Sequence, residues 1–381
     1  MAITRRDLLG KMGALAAAGA GIHSLASPAQ ADQWMASISS PSRGPILLNK
    51  NENAYGPSKQ VLLAIQRGLG LANRFPETAC SHLVDEIAGA HGVNSDQIVL
   101  GCGSSEVIRA AAAAFLGPGK TLILSSPTFD VISSHALAAG ASIVSVPLNR
   151  FLANDLDSIL GHVNASTGLI YISNPNNPTA ILNPRGDLET FIDKLPKNAR
   201  LIIDEAYHHY AGNSSSYATF LDRSVKDDRL IVTRTFSKAY ALAGLRIGYG
   251  VCTHQTAREI SLHTVSDNIN AVGADAAIAA LKDSAGLNLN IQRNSDDRQE
   301  FLNQAYARMM RPVDSHTNFV MFKTVHHAPD LIEHFQNHGI LIGPYYPAYE
   351  DYVRVTIGLP EEMKEFWRVW DLLPLVNKMA M

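Results

Sequence analysis

The sequence predicts an α/β fold built on a mainly parallel, seven-stranded β-sheet with helices on both faces. Short runs rich in valine, isoleucine and leucine recur along the chain, as is typical of buried parallel strands. Most runs are separated by segments long enough for a crossover helix. Ligands bind at the carboxyl ends of such strands, so the pattern also predicts where a site lies. The seven runs are 98–100, 121–124, 142–146, 168–173, 200–204, 229–233 and 247–251.

Before the sheet, residues 47–58 form an extended arm that ends in Gly-Pro-Ser, a combination that commonly precedes a helix. Helical periodicity follows over 59–69 and, after a turn at 73–77, over 81–91. Beyond the sheet, a long polar helix at 285–310 precedes short apolar runs and one further helix, which together predict a small α+β domain. These later elements are 318–322, 330–338, 340–342 and 352–357.

The chain of 381 residues is too long for one ordinary core. We divide it into a signal peptide (1–31), an N-terminal arm and linker (32–75), a large domain (76–284) and a small C-terminal domain (285–381). A net charge of −3 without a long basic run argues against nucleic acid as a partner. The cysteines show no metal-ligand spacing, so we predict no metal and interpret them as free thiols, with oxidation after export left open. They are Cys80, Cys102 and Cys252.

The N-terminus has the pattern of a twin-arginine export signal. Arg5 and Arg6 precede a mildly apolar segment, and small residues predict cleavage between Ala31 and Asp32. The segment is shorter than the roughly 20 apolar residues of a membrane span. We therefore expect a periplasmic protein with no membrane span after cleavage. The alternative is an amphipathic helix of the mature protein, which the glycines of the segment disfavour.

A lysine and an arginine follow the sixth apolar run in Thr-Arg-Thr-Phe-Ser-Lys-Ala-Tyr-Ala-Leu-Ala-Gly-Leu-Arg, residues 233–246. The amine of Lys238 can condense with an aldehyde, which predicts a Schiff base with pyridoxal phosphate. Ser237 and Arg246 would then hold the phosphate of the cofactor. The alternative is a solvated lysine and a surface arginine, so the hypothesis depends on the motifs elsewhere.

Two further loops at strand ends could contact such a cofactor. Gly103, Ser104 and Ser105 open a helix after the first run, where backbone N–H groups and the helix terminus attract a phosphate. The alternative is that these residues only cap the helix, because glycine and serine are also typical of helix caps that bind no ligand. Phe129 follows the second run and could stack on a planar ring, although a buried loop aromatic is also compatible.

The fourth and fifth runs end in residues suited to the ring of the cofactor. Asn177, in Asn-Pro-Asn-Asn-Pro-Thr, can donate a hydrogen bond to a phenolate-type oxygen, and Tyr207 could share that oxygen. Asp204, if buried, would keep a pyridine nitrogen protonated and make the ring a better electron sink. The alternative for Asp204 is a strand-end ion pair, which is the interpretation we prefer for Glu205.

The succession of these motifs resembles the fold-type I pyridoxal phosphate aminotransferases, and within them it is most similar to the histidinol-phosphate aminotransferases. The resemblance extends from 49–58 to 352–358, essentially the whole mature chain. It implies a homodimer whose second subunit completes the site. It also implies a reaction in which an L-amino acid gives its amine to the cofactor and a 2-oxo acid collects it.

The resemblance assigns a role to each candidate. Lys238 would be the Schiff-base lysine and general base, and Arg354 would clamp the substrate α-carboxylate. Tyr55 would line the substrate pocket. Cofactor contacts would come from Asp204 at the ring nitrogen, Asn177 and Tyr207 at the 3-oxygen, Phe129 on the ring face, and Ser104, Ser105, Ser237 and Arg246 at the phosphate.

Three positions depart from the family pattern. Phe75 replaces the tyrosine of an Arg-Tyr-Pro turn that reaches the neighbouring subunit, and Ala180 replaces a glycine, which is tolerable if the backbone there is not left-handed. Gly343 stands where histidinol-phosphate enzymes place an arginine for the substrate phosphate. Losing that contact would cost about 1.5–3 kcal/mol, which argues against histidinol phosphate. The loop 345–349 contains three tyrosines and could receive an aromatic or histidine-like side chain, or be a surface loop.

Two other functions remain open at this stage. A pyridoxal phosphate decarboxylase, lyase or oxidase could use the same scaffold, because motifs do not separate these reactions. A non-catalytic cofactor-binding protein is disfavoured, since every expected catalytic residue is present.

Overall fold

The computed structural model describes residues 44–374. The predicted signal peptide 1–31 and the first part of the predicted linker lie outside the described residues. Among residues 44–374, no helix is long and apolar enough to cross a membrane. The boundaries proposed between arm, large and small domains stay predictions.

A seven-stranded sheet forms the centre of the molecule and confirms the predicted fold class. The order of its strands is β2-β8-β7-β6-β5-β3-β4, and only β8 runs antiparallel to its neighbours. All seven residues of β5 are buried, as expected for a strand covered on both faces. The strands of the described chain, in order, are β1 Ile46–Leu47, β2 Ile98–Cys102, β3 Thr121–Ser126, β4 Ser142–Pro147, β5 Thr167–Ser173, β6 Arg200–Asp204, β7 Leu230–Thr235, β8 Ile247–Val251, β9 Arg311–Pro312, β10 Phe319–Lys323, β11 Ile340–Leu341 and β12 Tyr352–Thr356.

Helices cover the two faces of this sheet and enclose two apolar cores. Three consecutive alanines of α3, at 110–112, are fully buried, so small side chains let this helix approach the strands closely. In chain order the helices are α1 Lys59–Gly68, α2 Glu77–His91, α3 Ser104–Phe115, α4 Ile132–Ala138, α5 Leu156–His162, α6 Arg185–Lys194, α7 His208–Ala211, α8 Leu221–Ser224, α9 His254–Ser261, α10 Ala271–Lys282, α11 Ser284–Ala307, α12 Ala328–Asn337 and α13 Pro360–Trp370.

Helix α2 begins four residues earlier than predicted, directly after Pro76. Proline has a backbone angle suited to a helix start and lacks the N–H that a helix start leaves unpaired. The turn predicted at 73–77 is therefore one residue shorter. The long helix predicted at 285–310 is α11, which ends at Ala307.

The C-terminal strands form a separate antiparallel sheet of order β12-β10-β9. Aromatic side chains of α11, β10, α12 and α13 pack into a third core, with Phe335 and Phe366 stacked at 4.7 Å. The extended arm joins this region, because β1 pairs in parallel with β11. The arm thereby lies between the C-terminal sheet and the ends of the central strands.

Candidate active site

A cavity of about 570 Å³ lies at the carboxyl ends of the central strands. It brings together side chains from the arm, the central sheet and the C-terminal region. Among its lining residues are ten predicted site residues, namely Ser104, Ser105, Phe129, Asn177, Asp204, Tyr207, Ser237, Lys238, Arg246 and Arg354. Their meeting agrees with the rule that ligands bind where parallel strands end.

Lys238 follows β7 and reaches the wall that the arm contributes. Its Nζ donates to the carbonyl oxygen of Asn51 at 2.9 Å and to that of Lys50 at 3.3 Å. Burial, helped by the positive charge of Arg354, lowers the pKa of Lys238 to about 8. A substantial fraction of the amine is therefore neutral and nucleophilic slightly above neutral pH.

Asp204 ends β6 and is 2% exposed. Its Oδ2 accepts a hydrogen bond from the Tyr171 hydroxyl at 2.8 Å, and its Oδ1 accepts one from Thr233 Oγ1 at 3.0 Å. Burial raises the pKa of Asp204, while these hydrogen bonds and the nearby Lys238 oppose the rise. The alternative of a strand-end ion pair does not apply to Asp204. It applies to Glu205, which binds Arg234 Nη2 at 2.8 Å.

Arg354 extends from β12 into the cavity and is 5% exposed. Its Nη1 donates to Asn177 Oδ1 at 2.6 Å, and its Nη2 donates to the carbonyl oxygens of Asn49 and Gly343. Its buried Nε has no hydrogen-bond partner within the described chain. Of the five N–H donors of a guanidinium, two therefore remain for a ligand. Because the oxygen of Asn177 accepts from Arg354, the amide nitrogen of Asn177 is left as a donor.

Asn51 is a site residue that the motif analysis missed. Its Nδ2 donates to the Tyr207 hydroxyl at 3.0 Å, and its backbone N–H donates to Thr356 Oγ1 at 2.9 Å. Its φ of 55° lies in the left-handed region, which asparagine tolerates better than most residues. The sequence of the arm predicts only an extended segment and does not indicate partners more than 150 positions away.

One end of the cavity is a cluster of hydroxyl and guanidinium donors. Arg246 Nη1 donates to Ser237 Oγ at 3.2 Å, and Ser237 Oγ accepts from Thr235 Oγ1 at 2.8 Å. Ser104 and Ser105 face the same cavity from the first turn of α3. A helix N-terminus, three serines, a threonine and an arginine can together hold a phosphate dianion. Thr235 is not among the predicted site residues, although its place three residues before Lys238 indicates that it lies near the site.

Two predicted residues do not line this cavity. The Tyr55 hydroxyl donates to Asp297 Oδ2 at 2.6 Å, and Tyr55 borders a different, very small pocket, so its contact with the substrate stays a prediction. Gly103 lies behind Arg246, and a Cβ at this position would collide with the guanidinium. Its φ of 75° and this collision exclude a side chain, so Gly103 makes room for Arg246 without lining the cavity.

Alanine in place of the family's glycine at position 180 is expected to be tolerable only if the backbone there is not left-handed. The φ of Ala180 is 63°, so the backbone is left-handed and this condition is not met. This conformation costs a non-glycine residue about 1–2 kcal/mol. The methyl group of Ala180 is fully buried against the aromatic side chains of Tyr207 and Phe319. Packing of this methyl group offsets part of the backbone strain.

Gly343 also has a left-handed backbone, with φ 103°, and a Cβ at this position would lie 3.2 Å from Ile332 Cδ1. An arginine here would therefore strain the backbone and crowd α12. Three residues later, Tyr346 lines the cavity with Pro344. One tyrosine of the loop thus lines the cavity, whereas Tyr345 does not and is 36% exposed.

Within residues 44–374, no group of three or more His, Cys, Asp or Glu side chains is arranged to hold a metal ion. The three cysteines are free thiols, as interpreted from the sequence, and burial raises the pKa of Cys252 to about 12.

The model of aminotransferase classes I and II matches residues 43–368. Histidinol-phosphate aminotransferase 2 of Carboxydothermus hydrogenoformans is 33% identical over 322 residues, which cover 84% of this chain and 88% of that one. The histidinol-phosphate aminotransferase of Staphylococcus haemolyticus is 34% identical over 315 residues, or 83% of this chain and 87% of that one.

Among solved structures, the histidinol-phosphate aminotransferase of Sinorhizobium meliloti in complex with pyridoxal-5'-phosphate superposes with a TM-score of 0.82. It is 25% identical and covers 91% of this chain and 95% of that chain. The chain therefore belongs to the class I and II aminotransferase family, whose members are pyridoxal phosphate-dependent enzymes.

Proposed function

We propose that the protein moves the amine of an L-amino acid to a 2-oxo acid, with pyridoxal phosphate held as a Schiff base by Lys238. The observation that carries the proposal is the convergence of three groups on one cavity: the amine of Lys238, the carboxylate of Asp204 and the guanidinium of Arg354. Transamination needs a nucleophilic amine, a partner for the ring nitrogen and a clamp for the α-carboxylate.

The donor set supports pyridoxal phosphate as the occupant. Arg246, Ser237 and the first turn of α3 would hold its phosphate. Asp204 would bind its ring nitrogen, while Asn177 and Tyr207 would bind its 3-oxygen. When bound, the cofactor supplies an electron sink for the carbanion formed at the α-carbon of the substrate.

Lys238 would also carry the proton. With a pKa of about 8, its amine can accept a proton near physiological pH and return it. The carbonyl oxygens of Lys50 and Asn51 accept hydrogen bonds from Nζ and so hold it at one wall of the cavity. The arm is therefore part of the proposed proton-transfer machinery.

Arg354 would hold the α-carboxylate through its charge and an N–H donor that no described residue occupies. The bonds to Asn177, Asn49 and Gly343 fix the plane of the guanidinium before any substrate enters. A preorganised charged donor binds a carboxylate in one orientation, which sets the direction of the α-carbon–hydrogen bond.

Charges at the cavity wall favour a substrate side chain without a phosphate. Once the groups assigned to the cofactor and the α-carboxylate are set aside, the charged lining residues that remain are Lys50, Glu52 and Asp130. Two of these three are acidic, Lys50 is exposed, and Gly343 supplies no cation. Tyr346 instead offers a ring and a hydroxyl. We therefore propose an aromatic or histidine-like amino donor.

The test is a single half-reaction followed by absorbance, with histidinol phosphate, histidine, phenylalanine, tyrosine, aspartate and arginine each added with and without oxygen. Conversion of the cofactor to its pyridoxamine form, with one 2-oxo acid released per site, supports transamination. Release of carbon dioxide, ammonia or peroxide with the cofactor unchanged would support a decarboxylase, lyase or oxidase instead. Histidinol phosphate as the best donor would overturn the argument from Gly343.

We further propose that the enzyme is a homodimer with a shared active site. Phe75, in the turn that reaches the neighbouring subunit in the family pattern, is 79% exposed, and Leu69 and Leu71 nearby are also exposed. Apolar side chains grouped at a surface are typical of an interface. Light scattering of the purified protein tests this, and a monomer that is fully active at all concentrations would contradict it.

Export by the twin-arginine route to the periplasm is a separate proposal, supported by Arg5, Arg6 and the small residues before Asp32. Replacement of both arginines by lysine should leave an unprocessed protein in the cytoplasm. Cell fractionation with N-terminal sequencing would show it.

A further inference from the structure

Tyr171 is a buried tyrosine in a strand that is otherwise made for packing. It lies on β5 among aliphatic residues, with none of its surface exposed. Its hydroxyl donates to Asp204 Oδ2 at 2.8 Å. A phenylalanine would fill nearly the same space without the cost of burying a hydroxyl group. The hydroxyl therefore matters through its bond to the carboxylate.

Asp204 is held from both neighbouring strands. Strand β6 lies between β5 and β7, and the register places Asp204 beside Ser173 on one side and Thr233 on the other. Tyr171, two residues before Ser173, shares its face of the sheet. The carboxylate thus receives one side-chain donor per oxygen, from Tyr171 and from Thr233. These bonds orient it and leave lone pairs free toward the cavity.

We propose that Tyr171 is a positioning residue that keeps the Asp204 carboxylate ionised and aimed at the ring nitrogen of the cofactor. This inference rests on the proposed function, which pairs Asp204 with that nitrogen. In a buried pair, one proton can sit on the nitrogen, giving two charges, or on the carboxylate, giving none. Hydrogen bonds to the carboxylate favour the charged arrangement, which is the better electron sink.

The surroundings of Asp204 show why the donors are needed. Burial is the largest influence on the pKa of Asp204 and raises it. Tyr171, Thr233, the backbone N–H of Ala206 and the ammonium of Lys238 act in the opposite direction. Lys238 would lose its full charge on holding the cofactor, so the hydroxyl donors become more important in the loaded enzyme.

The test uses the holoenzyme loaded with cofactor that carries ¹⁵N in the ring, because the ¹⁵N resonance reports directly where the proton sits. Wild type should resonate at the protonated position. In Tyr171→Phe we expect the ratio of protonated to unprotonated nitrogen to fall about tenfold, the lower limit for losing a hydrogen bond to a charged group. Thr233→Val should act in the same direction, and the double variant should shift further.

Tyr249→Phe is the matched control. It removes another buried tyrosine hydroxyl, one that bonds to His91 at 2.7 Å, and it should leave the ¹⁵N resonance at the wild-type position. Loss of cofactor on gel filtration provides a second readout and should be faster only in the Tyr171 and Thr233 variants.

Wild-type resonances in folded Tyr171→Phe and in the double variant would overturn the role of Tyr171 while leaving transamination intact. An unprotonated nitrogen in wild type would overturn the role of Asp204, and that of Tyr171 with it. If none of the amino acids added as donors converts the cofactor in the half-reaction, the result would instead count against the proposed function.

Discussion

Lys238 should make the stability of the cofactor-free protein rise with pH above about 8. Its pKa falls from 10.5 to about 8 on folding, mainly because burial disfavours the charged amine. One pKa unit corresponds to about 1.36 kcal/mol, so this difference destabilises the folded protein by about 3 kcal/mol while the amine is charged. Below pH 8 the full penalty applies. Above it, the folded protein has released a proton that the unfolded chain still binds, so the free energy of unfolding increases.

Lys238→Met isolates this effect, because methionine is unbranched, of similar length and never charged. Urea denaturation of both cofactor-free proteins at pH 7, 8, 9 and 10 would give the free energies of unfolding. Other groups, including the buried tyrosines, titrate alike in the two proteins, so the difference between the two proteins is informative. We expect the variant to be more stable at pH 7 and this advantage to shrink by about 2 kcal/mol by pH 10. Parallel pH profiles would refute a low pKa for Lys238.

Three further substitutions test other parts of the site. Arg354→Lys should lower kcat/KM for the amino donor about 100-fold, because lysine lacks the planar guanidinium that its neighbours hold in place, while cofactor affinity measured by absorbance titration stays within about twofold. Gly343→Arg should lower the free energy of unfolding by about 1–3 kcal/mol without creating affinity for a phosphorylated donor. Gly343→Ala is the control that separates the backbone strain from the crowding at Ile332. A stable Gly343→Arg variant that prefers a phosphorylated donor would contradict the reasoning. Arg234→Met should cost about 3–5 kcal/mol in urea denaturation, since it leaves the buried charge of Glu205 unpaired, and a second substitution, Glu205→Gln, should recover part of the loss.

Three of the predicted residues that line the cavity share one property, which is their place at or just after the end of a strand. Asp204, Asn177 and Lys238 each follow an apolar run, and parallel strands bring such positions to one edge. The sheet brings them to one cavity regardless of how the intervening helices pack. Local pattern was therefore sufficient for them.

The residues that were missed depend on pairing between distant segments. Tyr171 looks like an ordinary strand residue until β5 is placed beside β6, where its hydroxyl meets Asp204. Asn51 acquires its role only through Tyr207 and Lys238, both more than 150 positions away. The left-handed backbone at Ala180 was also invisible, because alanine rarely adopts it and the residue type argues against it.

The arm that pairs with β11 has a consequence for the order in which the protein folds. Asn51 is bonded to Thr356 across 305 positions, and Ile46 pairs with Ile340. These contacts close very long loops and can form only after almost the entire chain has left the ribosome. The wall of the cavity that holds Lys238 is thus completed last, so a nascent chain cannot assemble the whole site ahead of its C-terminal strands. Truncation near residue 350 should accordingly leave the central sheet able to form and the cavity open on the side of the arm.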